Sequence, residues 1–305
     1  MKSESFTFTG ANGASMPAVL WLPQEEPKAL LQITHGMTEH MGRFIPMAQE
    51  LTASGIAVAG FDLRGHGKNP GDPSCSSLGE GGWDSSLEDM HRFYLLMQER
   101  FPQLPHAMLG FSLGSFLLRD YLSQYREPVA AAFILGTGWQ PKGVLSLLKL
   151  LVKGQIRKAG FDCTTPLVRK LSFETYNRKF APNRTCADWL CADRTQLGYY
   201  LADPLCRENI SAGLFWQLLD AMERTGAPDA CANWDHQMPV FLLSGKEDPV
   251  GNDGKGVLKV EKLLKDAGMA KVETHLFPDA RHDILHESQS HTTGKTLSII
   301  KNALL

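Results

Sequence analysis

Short apolar runs recur along the chain at Ala29–Thr34, Ile56–Phe61, Ala107–Phe111, Ala130–Leu135, Val240–Leu243 and Val272–Phe277. Each has the length of a strand, and within each the hydrophobicity is continuous, not alternating. That pattern belongs to strands covered on both faces, as in a parallel sheet. Amphipathic stretches of helical length lie between them. Arg43–Ser54 ends at Gly55, Ser85–Phe101 stops before Pro102, and Val257–Ala267 ends at Gly268, which are ordinary helix-stop residues. Strand and helix alternate, so the expected class is α/β with helices on both faces of one sheet. At the start, Phe6–Thr9 and Ala18–Leu22 flank GANGASMP and predict an antiparallel hairpin with a glycine-rich loop.

The rhythm breaks after Leu135. From about Thr137 to His236 no strand pattern recurs, and five of the six cysteines gather there; strand and helix resume at Met238. This predicts a helical insertion, residues 137–236, dividing a core made of residues 1–136 and 237–305. Within it, PKGVLSLLKLLVKGQIRK places Lys142, Ser146, Lys149, Lys153 and Arg157 on one stripe, and Val144, Leu147, Leu148 and Leu151 opposite. The expectation is a helix with its leucines inward and its lysines free for an anionic lipid surface, broken near Gly143 and Gly154.

Composition narrows the picture. The 305 residues carry a formal net charge of −2 and 43% hydrophobic residues, so no basic field recruits nucleic acid. No apolar run reaches the length of a membrane span, and MKSESFTFTG lacks a leader's apolar centre, which predicts a cytoplasmic location. The cysteines form no C-x-x-C pair, so neither a zinc site nor a disulfide framework is expected.

One stretch carries chemistry. In MLGFSLGSF, Ser112 lies between Gly110 and Gly114 where an apolar strand runs into a helix. G-x-S-x-G on a strand-to-helix turn lifts a hydroxyl above the sheet, next to the amides at the helix start. A nucleophilic serine needs a base and an acid, which on this architecture follow in the order serine, acid, histidine. Asp248 follows the run PVFLLSG, and His282 follows KVETHLFP. Glu247 and Asp253 are rival acids. Glu247 falls on the opposite side of an extended segment, and Asp253 lies further from the strand end. His282 and His286 have the spacing of a helical metal pair, but no third ligand accompanies them. HGMTEH, residues 35–40, follows the first central strand; there Gly36 would aim the Met37 amide, with the Leu113 amide as second donor. His35 and His40 are read as holding that loop in shape, while His35, Gly36 and Phe111 border the substrate.

HGMTEH, FDLRGHG, GFSLGS, SGKEDPVG and ARHDILHE resemble, in that order, the motifs of the monoacylglycerol lipase and lysophospholipase-like branch of the α/β-hydrolases, across essentially the whole chain. The resemblance implies a mostly parallel eight-stranded sheet with a helical cap inserted after strand six. It implies Ser112, Asp248 and His282 as nucleophile, acid and base, the Met37 and Leu113 amides as oxyanion donors, and no metal or cofactor. The chain departs from many relatives in having Phe111, not histidine, before the serine, and Ser115 after Gly114. The implied activity is hydrolysis of an apolar single-chain ester. Cofactor-free peroxidation or perhydrolysis, amide cleavage, and a silent binding protein on the same scaffold are the alternatives.

Overall fold

The computed structural model describes residues 1–305 except positions 70, 73, 208, 289 and 290. Eight strands are present: β1 (Lys2–Thr9), β2 (Ser15–Leu22), β3 (Ala29–Thr34), β4 (Ile56–Phe61), β5 (His106–Phe111), β6 (Ala132–Leu135), β7 (Val240–Gly245) and β8 (Val272–Phe277). They form one sheet in the order β1-β2-β4-β3-β5-β6-β7-β8. β2 pairs antiparallel with β1 and with β4, and every pairing from β4 to β8 is parallel. β3 to β7 are buried at every position, which accounts for the continuous apolar runs in the sequence.

The hairpin is longer than its sequence suggests, because Met16 and Pro17 belong to β2 and not to the loop. Met16 is fully buried, and Pro17, which has no amide to place, accepts from Asp62 N–H at 3.0 Å through its carbonyl. The helices expected between strands appear as α1 (Ile45–Ala53), α2 (Gly82–Arg100) and, in the second half, α9 (Lys255–Asp266). The first opens with a tight turn over Met41–Phe44, after which Pro46 takes an early helical position where its missing N–H costs nothing. Helix α3 (Leu113–Gln124) follows β5 directly, and α10 (Thr292–Leu304) closes the chain. One face of the sheet packs with Phe93, Phe116, Tyr121 and Leu218, the other with Phe44, Leu51, Phe133 and Ile300.

Between β6 and β7 the described residues form helices and turns: α4 (Lys142–Ala159), α5 (Pro166–Arg169), a wider turn over Lys170–Glu174, α6 (Thr175–Arg178), α7 (Arg194–Ala202) and α8 (Ala212–Thr225). Helix α8 packs on α3, and α4 packs on α8.

The facing of α4 differs from the expectation. Leu145 and Val152 are its buried residues, with Leu148 and Ile156 half-buried beside them. Val144, Leu147, Leu150 and Leu151 are exposed, Leu150 at 68%. Lys149 turns toward the protein and donates to Asp220 and Glu223 of α8 at 2.7 and 2.8 Å. Lys149 thus shares the inward face with Leu145 and Val152, whose burial outweighs a part-exposed ion pair, and the other leucines turn out. Gly143 and Gly154 do not break the helix, which runs through both. Among the described residues no helix is long and apolar enough to cross a membrane.

Candidate active site

Ser112 occupies a conformation that L-residues avoid, φ 52° and ψ −115°, at a cost of about 1–3 kcal/mol. The turn is held from both sides. Ser112 N–H donates to the Leu135 carbonyl at 2.9 Å, and the Ser112 carbonyl accepts from Ser115 N–H at 2.8 Å and from the Ser115 hydroxyl at 2.6 Å. Both neighbouring glycines are required by space. A β-carbon on Gly110 would strike the Gly114 carbonyl, and one on Gly114 would strike that of Thr34.

The residues expected to act with Ser112 meet it. His282 Nε2 lies 2.8 Å from Ser112 Oγ, and His282 Nδ1 lies 2.9 Å from Asp248 Oδ2. With the carboxylate accepting from Nδ1–H, Nε2 is left to accept the serine proton. Asp248 is fully buried after β7 and fixed by Val250 N–H at 2.8 Å and the Ser244 hydroxyl at 3.2 Å. The rival acids lie elsewhere: Asp253 pairs with Lys179 at the surface, and Glu247 faces Arg281 at 3.9 Å. Burial pushes the His282 pKa down, but the charge and hydrogen bond of Asp248, aided by Asp283 and Glu39, outweigh it and raise the value above the ordinary one. Two rings pack against the imidazole, Phe111 at 5.1 Å and Trp189 at 5.0 Å. Gly136, at φ 59°, leaves room for its edge.

The 35–40 loop is pinned from behind. His35 is completely buried; its Nδ1–H donates to the Gly36 carbonyl at 2.7 Å and its Nε2 accepts from Leu63 N–H at 2.9 Å. It shapes the loop and has no nitrogen left for a substrate, in contrast to the expectation that it borders one. Gly36 keeps the loop close: a β-carbon there would sit 2.8 Å from Glu39 Oε1 and 3.1 Å from the Ser112 β-carbon. The unusual backbone lies instead at Thr38, φ 58°. Among the described residues neither the Met37 nor the Leu113 amide donates to a protein acceptor, which leaves both free for an oxyanion.

Several contributors carried no sequence signal. Glu39 accepts from Gly36 N–H at 2.6 Å, and Arg43 bridges Glu39 at 2.5 Å to Asp283 at 2.8 Å, joining the 35–40 loop to the histidine loop. Burial pushes the Asp283 pKa up, but His286 and Arg43 outweigh it and hold the group well below the usual carboxylate range. His286 is thus a partner of Asp283 and Arg43, not half of a helical metal pair. From the insertion, the Tyr200 hydroxyl lies 2.8 Å from that of Thr38. Thr38 spends its proton on the Met37 carbonyl at 2.6 Å, so Tyr200 is the donor. A cavity of about 130 Å³ lined by Phe173, Trp189, Leu190 and Tyr200 opens beside this group. A larger one of about 450 Å³, between Trp139, Leu145, Met222 and Leu263, has none of Ser112, Asp248 and His282 in its wall.

His40, Asp203 and Cys206 stand close enough to share an ion. The histidine's tautomer opposes it. His40 Nδ1 accepts from Gly42 N–H at 3.1 Å, so the ring proton is on Nε2, facing Asp203 at 2.9 Å. A metal on Nε2 would move that proton to Nδ1, against the amide.

Residues 25–289 match the family model described as serine aminopeptidase, S33. A monoacylglycerol lipase of Mycolicibacterium smegmatis is 29% identical over 285 residues, covering 93% of this chain and 91% of that one. A human monoglyceride lipase is 25% identical, covering 93% and 84%. Among solved structures, a thermostable carboxyl esterase from Bacillus coagulans in complex with glycerol superposes with a TM-score of 0.86 at 23% identity, over 100% of both chains. The monoglyceride lipase of Saccharomyces cerevisiae, as a soluble variant with a substrate analog, gives 0.72 at 22%, over 99% and 94%. The chain belongs to the serine aminopeptidase S33 family of α/β-hydrolases, and within them it is similar to monoacylglycerol lipases.

Proposed function

We propose that this protein hydrolyses carboxylic esters of an apolar, single-chain, lipid-like kind through an acyl-enzyme on Ser112. The observation that carries the reading is the unbroken chain Asp248–His282–Ser112, ending at a serine held in a strained turn. Ser112 Oγ attacks the ester carbonyl carbon as His282 Nε2 takes the hydroxyl proton, and Asp248 stabilises the imidazolium. The Met37 and Leu113 amides hold the oxyanion. When the intermediate collapses, the carbon–oxygen bond to the alcohol breaks and His282 returns its proton to the leaving oxygen. Water, deprotonated by the same nitrogen, then attacks the acyl-enzyme; the acid leaves and Ser112 regains its proton. Only groups of the chain and water take part.

The similarity to monoacylglycerol lipases supports the ester reading, while the family's description names a peptidase. An aminopeptidase needs a free carboxylate for the substrate's ammonium group. Here Glu39 is held by Gly36 and Arg43, and Asp283 by Arg43 and His286. Glu174, by the small cavity, faces Arg169 at 3.0 Å. Aminopeptidase action on a free α-ammonium group is therefore disfavoured, and ester cleavage is the reading that the similarity to monoacylglycerol lipases supports.

In this reading residues 137–236 act as a cap over the site. The outward leucines of α4, with Lys153, Arg157 and Lys158 beside them, suit peripheral contact with an anionic lipid surface in an inverted form of the expected arrangement: leucines dip in and the remaining lysines meet headgroups. The test is acid release from a monoacylglycerol, a lysophospholipid and an aminoacyl anilide, with a fluorophosphonate probe run in parallel. Turnover of the anilide alone would replace the ester reading, and failure to label would remove the serine mechanism.

A further inference from the structure

Trp189 belongs to the insertion, yet its ring lies 5.0 Å from that of His282, on which Phe111 of β5 also packs at 5.1 Å, both tilted by 36°. Behind it, Phe173 stacks at 5.5 Å and Tyr176 leans in at 5.3 Å. The backbone around Trp189 is tied to the loop that carries His282. Arg281 donates to the Asp188 carbonyl at 2.5 Å, Asp283 N–H to the Leu190 carbonyl at 2.7 Å, and Ala192 N–H to the Glu287 carboxylate at 2.8 Å. Trp189 N–H itself donates to Asn177 Oδ1 at 3.0 Å, and the Arg281 guanidinium covers the Phe180 ring at 4.1 Å. These attachments fix the Trp189 backbone on both sides, and Phe173 and Tyr176 pack against its ring.

We infer that Trp189 is a positioning residue for His282: it clamps the imidazole against Phe111 and fixes the plane in which the ring passes a proton between Ser112 and the substrate. The inference rests on the serine-hydrolase reading, because it assigns a task to the base of that mechanism. Its physical basis is that hydrogen bonds at the two ring nitrogens leave the imidazole plane free to tilt. Two rings packed against it restrain that tilt, and small misplacements of a base are costly. The substrate need not touch Trp189 for this to matter.

The test uses the full chain with Trp189→Ala, Trp189→Leu and Trp189→Phe, assayed on p-nitrophenyl acetate, a substrate small enough to make little demand on the insertion. For Trp189→Ala the expected result is a fall in kcat of roughly 10- to 100-fold with KM changed by less than about threefold. The downfield proton resonance of His282 Nδ1–H, bonded to Asp248, should broaden or vanish. Trp189→Phe, which keeps a flat ring, should recover kcat to within about threefold. Wild-type kcat together with an unchanged downfield proton in Trp189→Ala would overturn the inference, as would a change confined to KM. If that variant does not fold, Trp189→Leu is read by the same criteria, since it fills space without a ring. Absence of fluorophosphonate labelling in the wild type would instead overturn the reading of Ser112, and this role of Trp189 with it.

Discussion

Gly114 leaves no room for a β-carbon against the Thr34 carbonyl, so α3 begins as close to β3 as two backbones allow. Gly114→Ala is therefore expected to destabilise the fold by roughly 1–3 kcal/mol, seen as a drop of several degrees in Tm. It should also lower fluorophosphonate labelling in the protein that remains folded. An alanine variant with wild-type Tm and labelling would show that the elbow has slack.

Ser112→Gly separates stability from activity. The serine sits at positive φ, where glycine is at ease, so the variant should be more stable than wild type by about 1 kcal/mol while losing all labelling. Differential scanning calorimetry beside gel fluorescence reads both. A less stable glycine variant would mean that the hydroxyl bond to His282 outweighs the strain.

The two aspartates after β7 should behave differently. Asp248→Asn disturbs the tautomer of His282 and should lower kcat by about 10⁴-fold. Asp253→Asn breaks only a surface pair with Lys179 and should stay within about twofold of wild type. The reverse ranking in an esterase assay would move the acid to Asp253.

The pH profile follows from the raised pKa of His282. Neutral imidazole is the base, so kcat/KM should climb with pH through a value above the ordinary 6.5 or so, falling about tenfold per unit below it. Asp248→Asn removes the main cause of the rise and should shift the limb to lower pH. A wild-type limb below 6 would contradict the electrostatics described for the site.

His106 sets an acid limit on stability. It stacks on Tyr94 at 4.3 Å with no partner on either ring nitrogen among the described residues, and burial pushes its pKa down to about 3. The unfolded chain takes up that proton near pH 6.5, so the contribution is complete above 6.5 and is lost as pH falls toward 3, at about 1.4 kcal/mol per unit. His106→Leu should flatten the decline in urea midpoint between pH 6.5 and 4.5. Parallel curves for the two proteins would assign the decline to other groups.

Strand positions and the order of serine, acid and histidine were readable because each depends on local pattern: continuous apolar runs, small residues flanking Ser112, and loops directly after strands. The facing of α4 was not. Its stripe and its leucines are both regular, and which side turns inward depends on partners over 70 residues away on α8, where Leu145 and Val152 are buried and Lys149 meets Asp220 and Glu223. The same holds for Trp189, whose segment KFAPNRTCADWLCADR carries no periodicity, and for Arg43, which gains meaning only once Glu39 and Asp283 are side by side.

The bonds between residues 188–192 and the histidine loop bear on how this protein can be recombined with its relatives. A chimera that exchanged everything between β6 and β7 would replace the backbone path whose Asp188 and Leu190 carbonyls and Ala192 amide make these bonds, along with the surface leucines of α4. Crossovers placed ahead of Phe173 would leave that stitching and the rings packed on Trp189 intact, exchanging α4 and α5 together with the buried contacts of Leu145 and Val152. Modularity in this chain thus stops short of the element boundaries: a segment is exchangeable only where it does not also bond to the loop that carries His282.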